Sequence, residues 1–394
     1  MKTFLTATAV LALGAGAGAA GEDIKLGISL GFTGALESTA PDAAKGAELA
    51  MKEVTDSGLL LDGASVASVH SDSTCTDASA AVTAAGNLVS AGVRGIVGGM
   101  CSGETIATLE QVAMPNGIVM ISPSASSPAL TTIADDGLFF RTHPSDSREG
   151  RVMAELVRDR GLDNVAITYT NNDFGKGLAD SFQNAFEELG GTVTISAAHE
   201  DGKADYSAEV AALDAAGGDA LIVAGYVDQG GSGVVRAALD AGAFDTFVFG
   251  SSMVAQSLID RFGTELANSF GENPASEGDG HDNFVRLASE AGFDGSAPFS
   301  AESYDAAALM LLAMQAAGSS DPQVYKAKIL DIANAPGEKI LPGELAKGLQ
   351  LLKDGQDIDY VGATSVEMNE QGDPGGSYRE VDFPDGTLNV VRYR

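Results

Sequence analysis

Short apolar runs of strand length alternate with longer stretches that carry apolar residues on one helical face, from Ile24 almost to Gly250. Ile24–Leu30 reads as a strand and Ala43–Val54 as a helix. Ser65–Ser71 is a strand, Ala78–Ser90 a helix, Gly95–Gly98 a buried strand, and Thr105–Ala113 a helix before the strand Ile118–Ser122. A second run of the same kind starts near Asp146. It gives helices at Arg148–Arg160, Phe174–Leu189, Ser207–Ala216 and Ser232–Ala241, interleaved with strands at Asn164–Thr170, Thr192–Ala197, Ala220–Gly225 and Phe247–Gly250. Strand, helix, strand in series is the rhythm of a doubly wound parallel sheet, and its crossovers have one allowed hand. Two such units follow one another.

The remainder reads differently. Gly271–Gly280 is expected as a Gly/Pro/acidic loop, followed by helices at Asp282–Ala291, Ala301–Ala317 and Val324–Asn334. Short strands follow near Ser365–Met368, Tyr378–Phe383 and Leu388–Arg392, separated by Gly/Pro/Asp turns. No third core-forming unit develops. The late helices are therefore expected to complete the first lobe and the last strands the second. This predicts an α/β fold of two doubly wound parallel-sheet lobes joined by a three-crossing hinge. Lobe 1 takes 21–142 plus 273–350, and lobe 2 takes 143–272 plus 351–394.

Residues 1–20 stand outside this scheme. Lys2, the apolar stretch Phe4–Leu13 and Ala17-Gly18-Ala19 make a secretory signal peptide, cut after Ala19 or Ala20. The apolar run is too short to span a bilayer, and no cysteine follows it to take a lipid anchor. A periplasmic destination is expected. About 370 residues remain, enough for two cored domains. The net charge of −32, from 23 basic and 55 acidic residues, disfavours nucleic acid and anionic lipid as partners. It fits a solubilising surface, a salty habitat or a basic partner. Cys75 and Cys101, two cysteines in an oxidising compartment, are expected as a disulfide rather than a metal site.

Enzyme signatures are missing: no G-x-S-x-G, H-E-x-x-H, C-x-x-C or Walker A sequence occurs. His70, His143, His199 and His281 have no nucleophile pattern beside them, and Asp279 with Asp282 lacks EF-hand spacing. Neither a metal nor another cofactor is called for. Polar loops at the predicted carboxyl ends of strands stand out instead, because open α/β sheets bind ligands there. In the first unit these are Phe32–Ser38, Met100–Thr105 and Ser122–Pro128. Their serines are either plain helix caps or, together with free N–H groups at helix starts, a carboxylate site. The second unit offers Asn171–Gly175, Gly225–Gln229 and Gly250–Met253. Phe174 and Tyr226 are either core aromatics or a wall against the ligand.

These loops resemble those of the periplasmic branched-chain amino-acid-binding proteins, the type I solute-binding family of ABC importers. Cys101-Ser102 is similar to the family's Cys-Ser ligand loop. Ile121–Thr131 is similar to its I-S-P-x-A-T-x-P-x-L-T stretch, with Ser126 for Thr. Asp173–Gly177 resembles D-Y-G-x-G with Phe174 for Tyr, and Tyr304-Asp305-Ala306 and Gly372-Asp373-Pro374 resemble late motifs. The resemblance implies that Cys75 and Cys101 are the first lobe's disulfide. It also implies that Ser102, Ser124, Ala125 and Ser126 hold an α-carboxylate, with Phe174, Tyr226, Ser251 and Met253 opposite. The family's usual acid after the strand ending near Gly250 is absent, since that segment reads Ser251-Ser252-Met253. An ammonium unpaired in a dry cleft is costly. So Asp228, Glu104 or Asp305 takes over, or the ligand is a carboxylate or amide without an ammonium.

The expectation is a monomeric, non-enzymatic solute-binding component of an ABC importer. It would carry an amino acid with a branched-chain or other hydrophobic side chain to an inner-membrane permease. A ligand-sensing protein on the same fold is the nearest rival, and a secreted hydrolase would need a base that the sequence does not place beside any serine.

Overall fold

The computed structural model describes residues 23–275 and 277–394. The expected leader at 1–20 lies outside them. The chain winds two main sheets and one small one. The first has five parallel strands in the order β2 (Ser65–Asp72), β1 (Asp23–Leu30), β3 (Ile96–Gly98), β4 (Met120–Ser122) and β5 (Phe139–Arg141). The second runs β14 (Asn389–Tyr393), β13 (Tyr378–Asp382), β10 (Phe270–Pro274), β9 (Phe247–Phe249), β8 (Ala220–Ala224), β6 (Asn164–Thr170) and β7 (Thr192–His199). Only β13 runs against the other described strands of this sheet, antiparallel to both β10 and β14. β11 (Glu338–Ile340) and β12 (Ile358–Tyr360) form a separate parallel pair.

Helices cover both faces of each sheet, so the inner strands are buried throughout and read as unbroken apolar runs instead of alternating ones. In the first lobe the helix Ser300–Ala317 is buried continuously from Ser300 to Met314. The helix Ala40–Ser57 crosses it so closely that a Cβ on Gly46 would sit 2.1 Å from the Ser300 carbonyl oxygen. Glycine at 46 is what permits that approach.

Two late segments differ from expectation. Gly271–Gly280, expected as a loop, begins with β10, which joins the parallel part of the second sheet to the antiparallel pair. Its Gly-Glu-Asn-Pro sequence hides the strand, because Glu272 and Asn273 are buried polar residues where apolar ones would announce it. Ser365–Met368, expected as a strand, contributes only a single bridge from Met368 to Pro374. Side chains claim its surroundings: Asp305 accepts from the N–H groups of Ala363 and Thr364, and Asn334 accepts from Met368. Ser365 itself is left-handed, with φ 56°. The helix expected over Val324–Asn334 is broken into Pro322–Tyr325, Lys326–Lys328 and Ile329–Ala333.

The chain passes between the sheets after β5, after β10 and before β13. We place the last passage near 375–377, not at 351, because β12 pairs with β11 and Asp305 holds residues 363–364 on the first lobe. A Cβ on Gly376 would lie 2.1 Å from Pro144, so the first and third passages run side by side.

Candidate ligand site between the lobes

Both sheets are wound alike. Strand order 2-1-3-4-5 in the first sheet is matched by β7-β6-β8-β9-β10 in the second. Each order reverses once, between β1 and β3 and between β6 and β8, and crevices for ligands open at the carboxyl ends of strands at such points. The loops Phe32–Ser38 and Met100–Thr105 leave one switch point. Asn171–Gly175 and Gly225–Gln229 leave the other.

On the first lobe, Cys75 and Cys101 are disulfide-bonded with Cα atoms 5.1 Å apart. The bond ties the loop after β2 to the loop after β3, just before Ser102. The Ser102 Oγ accepts from the N–H groups of Ser126 (3.2 Å) and Ser127 (3.0 Å). A hydroxyl accepting two bonds keeps its own hydrogen to donate outward. Ser122 Oγ donates to the Gly99 carbonyl and accepts from Ala125. Ser124 Oγ donates inward to the Met100 carbonyl at 2.6 Å, so it braces the loop. Beneath lies Arg141, which the sequence reading missed. It is fully buried, paired with Asp373 at 2.6 Å, and donates to the carbonyls of Ala125 and Ser127 and to Thr131 Oγ1. An Arg in a strand as short as Phe-Phe-Arg gives little sign of that role.

On the second lobe, Phe174 and Tyr226 are both buried and stacked, with ring centroids 5.1 Å apart. Asn172 fixes both: its amide nitrogen donates to the Tyr226 hydroxyl at 3.3 Å, and its Oδ1 accepts from Gly175 at 2.9 Å, capping the helix Asp173–Glu188. Burial raises the Tyr226 pKa, Asn172 opposes the rise, and the charges of Asp201, Asp146 and Glu104 add to it. A first-lobe carboxylate, Glu104, is thus felt at a second-lobe ring. The turn after β9 places Ser251 against Glu149, with Ser252 Oγ donating to the Gly225 carbonyl beside Tyr226. Met253 is buried, its sulfur 2.5 Å from where a Cβ on Gly231 would be.

The lobes touch. Ser38 N–H donates to Asp228 Oδ2 at 3.1 Å, the Ser38 and Ser257 hydroxyls are 3.2 Å apart, and Gly103 lies against Asp173. The described form is closed.

The three acids expected to receive an ammonium fare differently. Asp305 accepts from Ala363, Thr364 (N–H and Oγ1) and Tyr360, entirely within the first lobe. Asp228 is held at the rim by Ser38 and by Arg261 at 3.0 Å. Glu104 locks its own turn through Oε1, which accepts from Met100, Cys101 and Ser73, and leaves Oε2 buried without a partner. Burial pushes its pKa up to about 7, against those hydrogen bonds. Nearer the lobe junction stand two acids that the sequence reading passed over, Asp146 and Glu149. Both are fully buried. Asp146 sits where a Cβ on Gly177 would meet it at 3.4 Å beside Ser127 and Pro128. Its pKa is raised well above the usual range by burial and then by Glu149, with Ser126 and Arg141 opposing. Acids three apart at a helix start normally complement the helix dipole, which disguises them. Among the described residues no cluster could hold a metal ion.

A family model for periplasmic binding proteins matches residues 23–333. The chain belongs to that family. It is 31% identical over 344 residues to the Leu/Ile/Val-binding protein homolog 1 of Brucella melitensis, covering 86% of this chain and 88% of that one. Its fold is similar to that of the leucine-binding protein LivK of Thermotoga maritima, with TM-score 0.79, 22% identity, and coverage of 94% of this chain and 98% of that one. A benzoate-bound solute-binding protein from R. palustris is similar too, with TM-score 0.74, 16% identity, and coverage of 94% and 96%. As a periplasmic binding protein this chain is an extracytoplasmic, ABC-type solute-binding protein and not an enzyme. The expected two-lobed type I architecture is present.

Proposed function

We propose that this protein captures a small hydrophobic amino acid between its lobes and presents it to an inner-membrane ABC permease. One observation carries the reading: the loops at the two switch points meet, Gly103 beside Ser102 lying against Asp173 beside Phe174, with the Ser102–Ser126 bonds on one side and the Phe174–Tyr226 stack on the other. The Ser102 hydroxyl and the free N–H groups of the helix it begins suit a carboxylate. The stacked rings suit an apolar side chain. Second-lobe contacts exist only when the cleft is shut, so a ligand touching both lobes draws the equilibrium toward the closed form.

Names of the Brucella and Thermotoga proteins support an amino acid. A specific feature favours a second reading, an aromatic carboxylate without a nitrogen cation: Ser251-Ser252-Met253 carries no acid and Phe174 carries no hydroxyl, while the R. palustris relative holds benzoate. Thermal melting against amino acids, aliphatic and aromatic acids and their amides tests both, because a ligand bound only by the native state raises stability by mass action. Stabilisation by amino acids supports the first reading, and stabilisation by benzoate-type acids alone supports the second. A folded protein that no member stabilises, and that co-purifies with no solute, defeats both.

A further inference from the structure

The turn that lacks an acid of its own receives one from elsewhere. Glu149, in the first turn of the helix Asp146–Asp159, accepts from the Ser251 N–H at 2.9 Å and the Ser251 hydroxyl at 3.1 Å. Its Oε1 lies 3.0 Å from where a Cβ on Gly250 would be, so the carboxylate is pressed against the end of β9. Ser252, next in that turn, donates to the Gly225 carbonyl beside Tyr226, so the turn that holds Glu149 also touches the Tyr226 segment of the second lobe. Glu272 of β10 faces Glu149, and Asp146 lies on the same helix start. All three are fully buried. Four of their six oxygens, both on Asp146 and both on Glu272, close no well-formed hydrogen bond, although Ser126 lies beside Asp146 and the Ser251 N–H and Glu149 lie beside Glu272, so a better-placed donor has room to compete for them.

We propose that the Glu149–Glu272 carboxyl pair, with Asp146 beside it, is the seat of a nitrogen cation on the ligand and releases its shared proton to solvent when that cation binds. This rests on the solute-binding reading above and decides between its two ligand classes. Two buried carboxyls cannot face one another as bare anions, so a proton must hold them together while the cleft is empty. A ligand ammonium supplies both the positive charge and the missing donors, and the proton becomes superfluous. Among the described residues no cation pairs with Glu149 or Glu272. Arg141 acts on Asp146 but is directed to Asp373 and the carbonyls of Ala125 and Ser127. The His143 imidazole is kept neutral by burial, Tyr226 and Tyr378 stay neutral, and Arg148 opposes the cluster's charge at Tyr378. Burial comes first among the causes that raise the pKa of each acid.

The test compares leucine with isocaproate, which has leucine's skeleton without the ammonium, by calorimetry and thermal melting at about pH 5.5 and about pH 7.5. Leucine is expected to bind the intact protein more tightly than isocaproate, with an advantage that grows with pH by up to about tenfold per unit, the limit for one exchanged proton. Calorimetry in buffers of different ionisation enthalpy should register a proton released on leucine binding. Glu149→Gln should weaken leucine about 30-fold or more and leave isocaproate nearly unchanged. Glu272→Gln should retain leucine and flatten its pH dependence. Isocaproate binding as well as leucine, or leucine indifferent to Glu149→Gln, would overturn the proposal while solute binding stands. A protein that answers to neither probe but co-purifies with a nitrogen-free acid also overturns it alone. One that co-purifies with an amine upholds it if Glu149→Gln loses that amine, and overturns it if the variant keeps it. Absence of any bound or binding solute overturns the solute-binding reading as well.

Discussion

Arg141 Nε donates to the Asp373 carboxylate at 2.6 Å, although 232 positions separate them, and the arginine is wholly buried. The same guanidinium holds the carbonyls of Ala125 and Ser127. One side chain therefore joins the Ser122–Pro128 loop to the segment that leads into the third passage between lobes. Breaking a buried pair strands the partner's charge and the acceptors with it. Arg141→Met is expected to destabilise the protein by about 3 kcal/mol or more and to loosen the ligand loop. Urea unfolding reads the first effect and ligand titration the second; unchanged stability would contradict the bracing role.

At the rim the forces are weaker. Asp228 receives the Ser38 N–H across the cleft and is paired with Arg261 on its own lobe. Rim charges alter closure modestly. Asp228→Ala should reduce ligand affinity by about three- to tenfold with little change in the unliganded melting temperature. Small-angle scattering should show a larger open fraction in the variant.

Glu302 offers a pH test in which the sign is fixed by burial. Its carboxyl is pushed from 4.5 up to about 8, chiefly by desolvation, with Asp305 adding and Arg379 opposing. The folded state thus binds that proton more tightly than the unfolded chain does. Its contribution is complete below the ordinary carboxylate range and is lost as pH rises toward about 8. Melting temperature should fall over that window, and Glu302→Gln should make the fall shallower. A variant whose profile superimposes on that of the natural protein would refute the assignment.

Replacing both Cys75 and Cys101 by Ala removes the tie between the loops after β2 and β3. Over a sequence separation of 26 residues the loss is expected to be about 3–4 kcal/mol in chain-entropy terms. It should appear in urea unfolding, with a smaller effect on affinity, because Ser102 keeps its bonds to Ser126 and Ser127.

Periodicity revealed the two αβ windings because their inner strands and helix faces obey the 2.0 and 3.6 spacings. Glycine and serine punctuation likewise marked the loops at both switch points. What stayed hidden was polar and buried. Glu272 and Asn273 made β10 look like a loop, Asp146 and Glu149 drew no reading because acids at a helix start are ordinary, and Arg141 drew none because its three-residue strand gives no pattern of its own. Their partners are brought in by the fold from far along the chain, and no local pattern encodes a contact across 100 or more residues, such as Glu149 with Ser251. Asp305 shows the converse error: its motif pointed to the cleft, while its four donors lie inside the first lobe.

The passages near Pro144 and Gly376 lie against one another. Adjacent tethers restrict two bodies to swinging about a common axis, like a door on neighbouring pins. Displacement then scales with distance from the pins. Fluorophores on the outer rim, at Glu37 and Asp260 for instance, would report each capture event as a large change in separation, whereas labels beside Pro144 would hardly register it.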